Sequence, residues 1–137
     1  MLTLHASCVA WGRQAALITG AAGSGKSNLA LALMGYGCQL IADDGTELSV
    51  EQGQLIARSH PALLGLIEAR GLGLLNATPL VAGTVTLCIT MDLTETERLP
   101  PNRIVTYLGV SLPLLHKVET GHFAAAVLQY LKQGRRS

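Results

Sequence analysis

The sequence predicts an α/β fold: a phosphate-binding-loop (P-loop) core built on a strand-rich mixed sheet with few helices. Three observations predict it. Gly20-Ala21-Ala22-Gly23-Ser24-Gly25-Lys26-Ser27 matches the pattern G-x-x-x-x-G-K-[ST]. The apolar run at 15–19 before it reads as a buried strand, and the stretch at 28–34 after it is rich in helix formers. The remaining chain holds many short strand-like segments and a single further helical stretch, where an ordinary α/β domain would alternate the two.

Each element follows from local composition. Residues 2–11 read as one strand, closed by a turn at Gly12-Arg13-Gln14, and residues 15–19 as the second strand. The first helix is expected over 26–34, with Gly35 and Gly37 stopping it. A third strand at 38–42 ends in Asp43-Asp44-Gly45. Segments 47–50 and 54–57 form a hairpin around Gln52-Gly53. Pro61 breaks the chain, and short apolar segments at 64–69 and 72–75 flank Arg70-Gly71. The longest strand-like run is 84–91. Residues 94–102 are polar, contain Pro100 and Pro101, and read as a loop; short strands follow at 104–108 and 110–112. The last helix is expected over 121–133, with Phe123, Val127, Tyr130 and Leu131 as its apolar face.

Bulk composition narrows the function classes. At 137 residues the chain makes one domain, 1–137, and is short for a P-loop fold. Only 14% of residues are charged, against about 25% in a typical domain, which points to apolar surface hidden in a homo-oligomer. A net charge of +1 leaves no electrostatic footprint for nucleic acid, and Lys132, Arg135 and Arg136 read as a solvated tail. Cys8, Cys38 and Cys88 lack the close-spaced pairs of a metal site and fit reduced thiols of a cytoplasmic protein. Neither a signal segment nor an apolar run long enough for a membrane span is present.

The loop carries the chemistry. Its glycines let the backbone wrap phosphate oxygens, and successive N–H groups at a helix N-terminus face the anion. Lys26 would reach the β- and γ-phosphates of a nucleoside triphosphate, and Ser27 would ligate Mg²⁺. Such a loop also needs an acid. Two apolar strands end in one: Asp43-Asp44 after the third strand, and Asp92 after the long run. Spacing favours the first pair and leaves Asp92 open.

With these residues in view, the chain resembles the catalytic domain of the HPr kinase/phosphorylase family, bacterial enzymes that phosphorylate a serine of the phosphotransferase carrier HPr. Three blocks carry the resemblance, over about residues 2–115: the glycine loop with His5 fifteen residues before Gly20, Leu40-Ile41-Ala42-Asp43-Asp44, and Ile67-Glu68-Ala69-Arg70-Gly71-Leu72-Gly73. They stand in the family's order. The resemblance implies a core related to phosphoenolpyruvate carboxykinase. It also implies a kinase-domain-only form without the N-terminal regulatory domain, as associated with alphaproteobacteria.

The resemblance also implies roles. The backbone from Gly20 to Ser27 and the Lys26 ammonium hold ATP; Ser27 and Glu68 hold Mg²⁺. Asp44 is the base for the acceptor serine, with Asp43 beside it to hold the metal's water or to shift the proton affinity of Asp44. His5 pairs with Asp44. Arg98 lies near the transferring phosphate, and Arg70, Gly71 and Gly73 form the signature, with Arg70 either touching phosphate, orienting Glu68 or forming a structural ion pair. One departure is clear. Where the family carries Pro-Val-Arg-Pro-Gly-Arg-Asn, this chain reads Lys117-Val118-Glu119-Thr120-Gly121-His122-Phe123. Without guanidinium groups to clamp phosphate there, reverse phosphorolysis loses its support. The expected function is an ATP-dependent serine kinase acting on an HPr-like carrier, with reverse phosphorolysis left open. A nucleotide-binding sensor without phosphorylase activity and a P-loop small-molecule kinase are the alternatives.

Overall fold

The computed structural model describes residues 1–137. Eleven strands and two helices follow in chain order: β1 (Leu2–Leu4), β2 (Ala6–Trp11), β3 (Gln14–Thr19), α1 (Lys26–Gly35), β4 (Gln39–Ala42), β5 (Thr46–Glu51), β6 (Gln54–Ser59), β7 (Leu66–Ala69), β8 (Gly73–Asn76), β9 (Gly83–Thr94), β10 (Ile104–Tyr107), β11 (Val110–Lys117) and α2 (Phe123–Gln133). A short 3-10 turn covers Pro61–Leu63.

Nine strands join one mixed sheet in the order β1-β5-β6-β9-β3-β2-β4, with β11 also on β9 and β10 on β11. β9 pairs parallel with both β3 and β11, while β2 runs antiparallel to β3 and to β4. β3, β4 and β9 therefore point the same way and deliver their C-terminal ends to one edge. Ligand sites of α/β sheets sit at such an edge. β7 and β8 form a separate hairpin.

The central strands are buried on both faces, which explains their nearly continuous apolar sequence. Val9, Ala16, Ile18, Leu87 and Ile89 face α1 and α2, meeting Leu29, Leu33, Val127 and Leu131. Cys8, Leu17 and Val85 join Leu48, Leu55 and Leu112 in a second core on the opposite face. No helix is long and apolar enough to cross a membrane.

Local departures from expectation have physical causes. The run at 2–11 is two strands, because the chain changes neighbours at His5: β1 pairs with β5, then β2 with β3 and β4. β9 reaches Thr94, placing Asp92 inside a strand. β11 continues through Pro113 to Lys117, since Pro113 stands at the changeover, one residue before pairing with β9 begins at Leu114. Gly35 lies within α1, and the chain leaves the helix at Gly37 through Gly37 N–H to the Met34 carbonyl. On α2 the buried stripe is Phe123, Val127, Leu128 and Leu131, with Tyr130 only half-buried. The expected hairpin around Gln52-Gly53 forms, both residues having positive φ, as a tight two-residue turn demands.

Candidate active site

The glycine loop spans Gly20 to Gly25 between β3 and α1. Gly20 has φ 147°, and a Cβ there would lie 2.6 Å from Ser24 Oγ and 3.1 Å from Met91 Cβ. Only glycine fits so tight a crossing. The loop closes on itself through Ser24 N–H to the Ala21 carbonyl, 3.0 Å, and the helix begins with Leu29 N–H to the Gly25 carbonyl, 3.0 Å. Lys26 is the first helical residue, and its side chain folds back over the loop. Its ammonium donates to the carbonyls of Gly20 (2.8 Å) and Ala21 (3.1 Å) and is largely buried. Asp92, on the neighbouring end of β9, accepts from Ala21 N–H at 2.9 Å. Sequence spacing left Asp92 as an alternative acid; in the structure it braces the loop backbone.

Asp43 closes β4 and ties three elements together. One carboxylate oxygen accepts from Ser7 Oγ at 2.8 Å and Ser27 Oγ at 2.7 Å; the other accepts from Glu68 N–H at 3.0 Å. It is buried and does not line the loop cavity. Its neighbour Asp44 is exposed and has φ 57°, a left-handed conformation that aspartate tolerates better than most residues. That reversal sends two adjacent carboxylates in different directions, one inward as a brace and one outward to solvent.

A cavity of about 160 Å³ opens above the loop. Ala22, Gly23 and Gly25 of the loop and Lys26, Ser27 and Asn28 of α1 line it, and Asp44, Glu68 and Arg70 complete the wall. Asn28 was not singled out from sequence; its place one residue after Ser27 on the first helical turn is the signal that could have found it. Arg70 is presented by the tight turn joining β7 to β8, where Ala69 pairs with Gly73 and Leu72 N–H bonds to the Ala69 carbonyl, 3.0 Å. Gly71 and Gly73 build that turn and do not line the cavity. A second cavity of about 330 Å³ lies next to the first, lined by Thr3, Leu4, His5, Asp44, His60 and Leu63 among others. Asp44 is the residue common to both walls. Arg98 lines neither cavity.

The donor set suits a phosphate and a hard cation. Backbone N–H groups, Lys26 and Arg70 are cationic or donating; Ser27, Asp44 and Glu68 offer oxygen. Ser27 spends its proton on Asp43, so its oxygen lone pairs stay available to a metal. Ser24 Oγ, inside the loop, is buried without a partner. No group of three or more His, Cys, Asp or Glu side chains converges as a self-sufficient metal cage.

Comparison with known proteins bears on this arrangement. The family model of the HPr Serine kinase C-terminal domain matches residues 2–100. The chain belongs to this family. The HPr kinase/phosphorylase of Halalkalibacterium halodurans is 39% identical over 90 residues, covering 60% of this chain and 29% of that protein. That of Clostridium beijerinckii is 45% identical over 64 residues, covering 47% of this chain and 21% of that protein. The match thus spans less than a third of these relatives' length. A solved structure of the Hpr(Ser) kinase/phosphatase from Coxiella burnetii superposes with a TM-score of 0.80 at 26% identity, covering 96% of this chain and 95% of that one. The strand-rich mixed sheet with two helices is therefore structurally like that HPr kinase domain. All the residues that line the loop cavity fall inside the matched segment 2–100.

Proposed function

We propose that this HPr kinase family domain is a cytoplasmic ATP-dependent serine kinase of the P-loop type, phosphorylating an HPr-like carrier. One observation carries the reading: Asp44 stands in the wall shared by the loop cavity and its neighbour. A phosphoryl donor held on one side and a hydroxyl presented from the other would meet at its carboxylate.

The residues divide the work accordingly. Backbone N–H groups from Ala22 to Ser27 and the Lys26 ammonium hold the β- and γ-phosphates. To do so, Lys26 turns from the Gly20 and Ala21 carbonyls toward the phosphate. Ser27 and Glu68 would hold Mg²⁺, which when bound neutralises phosphate charge. Asp44 accepts the proton of the acceptor hydroxyl as its oxygen bonds to the γ-phosphorus. The bond from that phosphorus to the β–γ bridging oxygen breaks, and ADP carries away the electron pair. Positioning and charge stabilisation supply most of the catalysis in such transfers. His5 acts through Asp44, from beside it; Asp43 acts by holding Ser27 and the Glu68 backbone in place. Arg98 would reach the transferring phosphate only by movement of its loop. A homo-oligomer is supported by the low charge content and by exposed Leu72 and Leu74 of the β7–β8 hairpin.

The Lys117–Phe123 segment, with no arginine, supports forward transfer without phosphorolysis. The test is transfer of labelled γ-phosphate from ATP–Mg²⁺ to purified HPr-type carriers, with Lys26→Ala as control. Label on a carrier serine, absent in the control, is expected. Nucleotide binding without transfer to any carrier would replace the kinase with a nucleotide sensor.

A further inference from the structure

A third cavity, of about 170 Å³, lies between α2, β11 and the loop at 95–103, and shares no residue with the other two. Its body is apolar: Leu114, Leu115, Phe123 and Val127 contribute. Glu95, Arg103, His116 and Arg135 also line it.

The charges there do not cancel. Glu95 is fully used: it accepts from Arg103 Nε at 3.2 Å and Nη2 at 3.1 Å, and from the N–H groups of Thr96 and Glu97 at 3.1 and 3.3 Å. Arg103 is thereby neutralised. Arg135 has no carboxylate partner; its guanidinium donates to the carbonyl of Pro100. One uncompensated positive charge therefore lines a largely apolar cavity, whose wall also includes His116, a side chain 14% exposed.

We infer that this cavity binds a small amphipathic monocarboxylate, with its apolar body among the leucines and Phe123 and its carboxylate on Arg135. The volume sets the size. A cavity of about 150 Å³ accommodates benzene, so 170 Å³ takes one aromatic ring or an aliphatic chain of similar bulk. The single free guanidinium and the apolar lining suit one negative charge better than the multiple charges of a phosphate ester, which would lie poorly solvated.

The test is titration of the chain with phenylacetate, followed by backbone amide NMR. Saturable shifts at β11, α2 and the 95–103 loop are expected, with a dissociation constant of about 1 mM or tighter for a ligand this small. Arg135→Gln should weaken binding by about tenfold or more, the worth of a charge-assisted hydrogen bond, and neutral 2-phenylethanol should bind as weakly. Ala126→Phe, at an exposed position on the cavity wall, should block binding without touching the core. The inference fails if no shifts appear up to about ten times that concentration. It also fails if they map elsewhere, or if phenylethanol or the Arg135→Gln protein binds equally well.

Discussion

The imidazole Nδ1 of His5 lies 3.9 Å from a carboxylate oxygen of Asp44. The two come from distant points of the chain, one at the bend where β1 gives way to β2, the other on the left-handed residue that follows Asp43 beyond β4. Both side chains are exposed, His5 at 93% and Asp44 at 66%. An exposed pair of this kind contributes little to folding; it lies in the wall of the second cavity, where Asp44 is shared with the first.

Asp44→Asn should therefore separate binding from transfer. The amide keeps the shape and cannot take a proton. Transfer should fall by about 10²–10⁴-fold, the usual worth of a general base, while ATP–Mg²⁺ affinity stays within about twofold. His5→Ala should be milder, less than about tenfold, because it removes only a solvated partner. Single-turnover transfer beside calorimetric nucleotide binding checks both, and normal transfer by the Asn variant would remove Asp44 from the role of base.

Asp43 predicts the opposite signature. Its carboxylate holds Ser7, Ser27 and the Glu68 N–H at once. Asp43→Ala leaves those donors unpaired, Ser7 fully buried, and should destabilise the domain by about 2–4 kcal/mol. Asp43→Asn, which retains an acceptor oxygen, should cost about half as much. Urea unfolding measures both; equal stability of all three proteins would show that the brace is idle.

These two aspartates show how much the sequence could and could not reveal. The glycine loop, its flanking strand and helix, and the placing of the Asp43-Asp44 pair at the end of β4 were legible because each rests on local pattern: glycine spacing, an apolar run, an acid at a strand's end. Which aspartate braces and which faces the cavity was not legible from spacing. It depends on φ at Asp44 and on Ser7 and Glu68, residues brought together by sheet order. Asp92 reads as another strand-terminal acid, yet the parallel pairing of β9 with β3 sets it against Ala21 N–H. The extension of β11 through Pro113 was hidden for the same reason: proline cannot donate to a ladder and argues against a central strand, and only the pairing shows that it precedes the first residue on β9.

Gly20 offers a test of the loop's geometry. Ala at this position would meet Ser24 Oγ at 2.6 Å and Met91 Cβ at 3.1 Å in a backbone conformation that L-residues avoid. Gly20→Ala should cost about 1–3 kcal/mol in stability and weaken nucleotide binding at least tenfold, because Lys26 and the loop N–H groups shift with it. Gly121→Ala, where a Cβ would meet nothing within 4 Å, is the control and should change neither. Thermal unfolding with and without ATP–Mg²⁺ reads out both effects.

The three thiols should be inert in the folded chain. Burial pushes the Cys88 thiol up to about 12 and raises Cys8 further, with Cys88 adding to the effect; burial also raises Cys38, partly offset by Lys132. The thiolate is the reactive form, so at neutral pH all three stay protonated and enclosed. Iodoacetamide followed by mass spectrometry should find no fast-reacting site in the native protein and three in urea. Rapid native labelling of Cys8 or Cys88 would show that the double-faced core opens far more readily than its burial implies.

Acid should loosen the loop at 95–103. Hydrogen bonding from Arg103 holds the Glu95 carboxyl below the usual carboxylate range, with the N–H groups of Glu97 and Thr96 contributing and burial opposing. His116 Nδ1, 3.9 Å away, is the other titratable group facing it. A carboxyl whose folded pKa is depressed binds fewer protons folded than unfolded, so stability rises with pH in that window. The contribution is complete above the unfolded value, about 4.3, and is lost as pH falls below it toward the folded value. Glu51, lowered by Arg58, titrates with the same sign and forms a background common to wild type and variant. Glu95→Gln should therefore be less stable than wild type at pH 6 and should flatten the loss of stability between about pH 5 and 3. Urea midpoints across that range decide it: parallel pH profiles for the two proteins would mean that the Glu95–Arg103 pair does not hold the loop's two ends together.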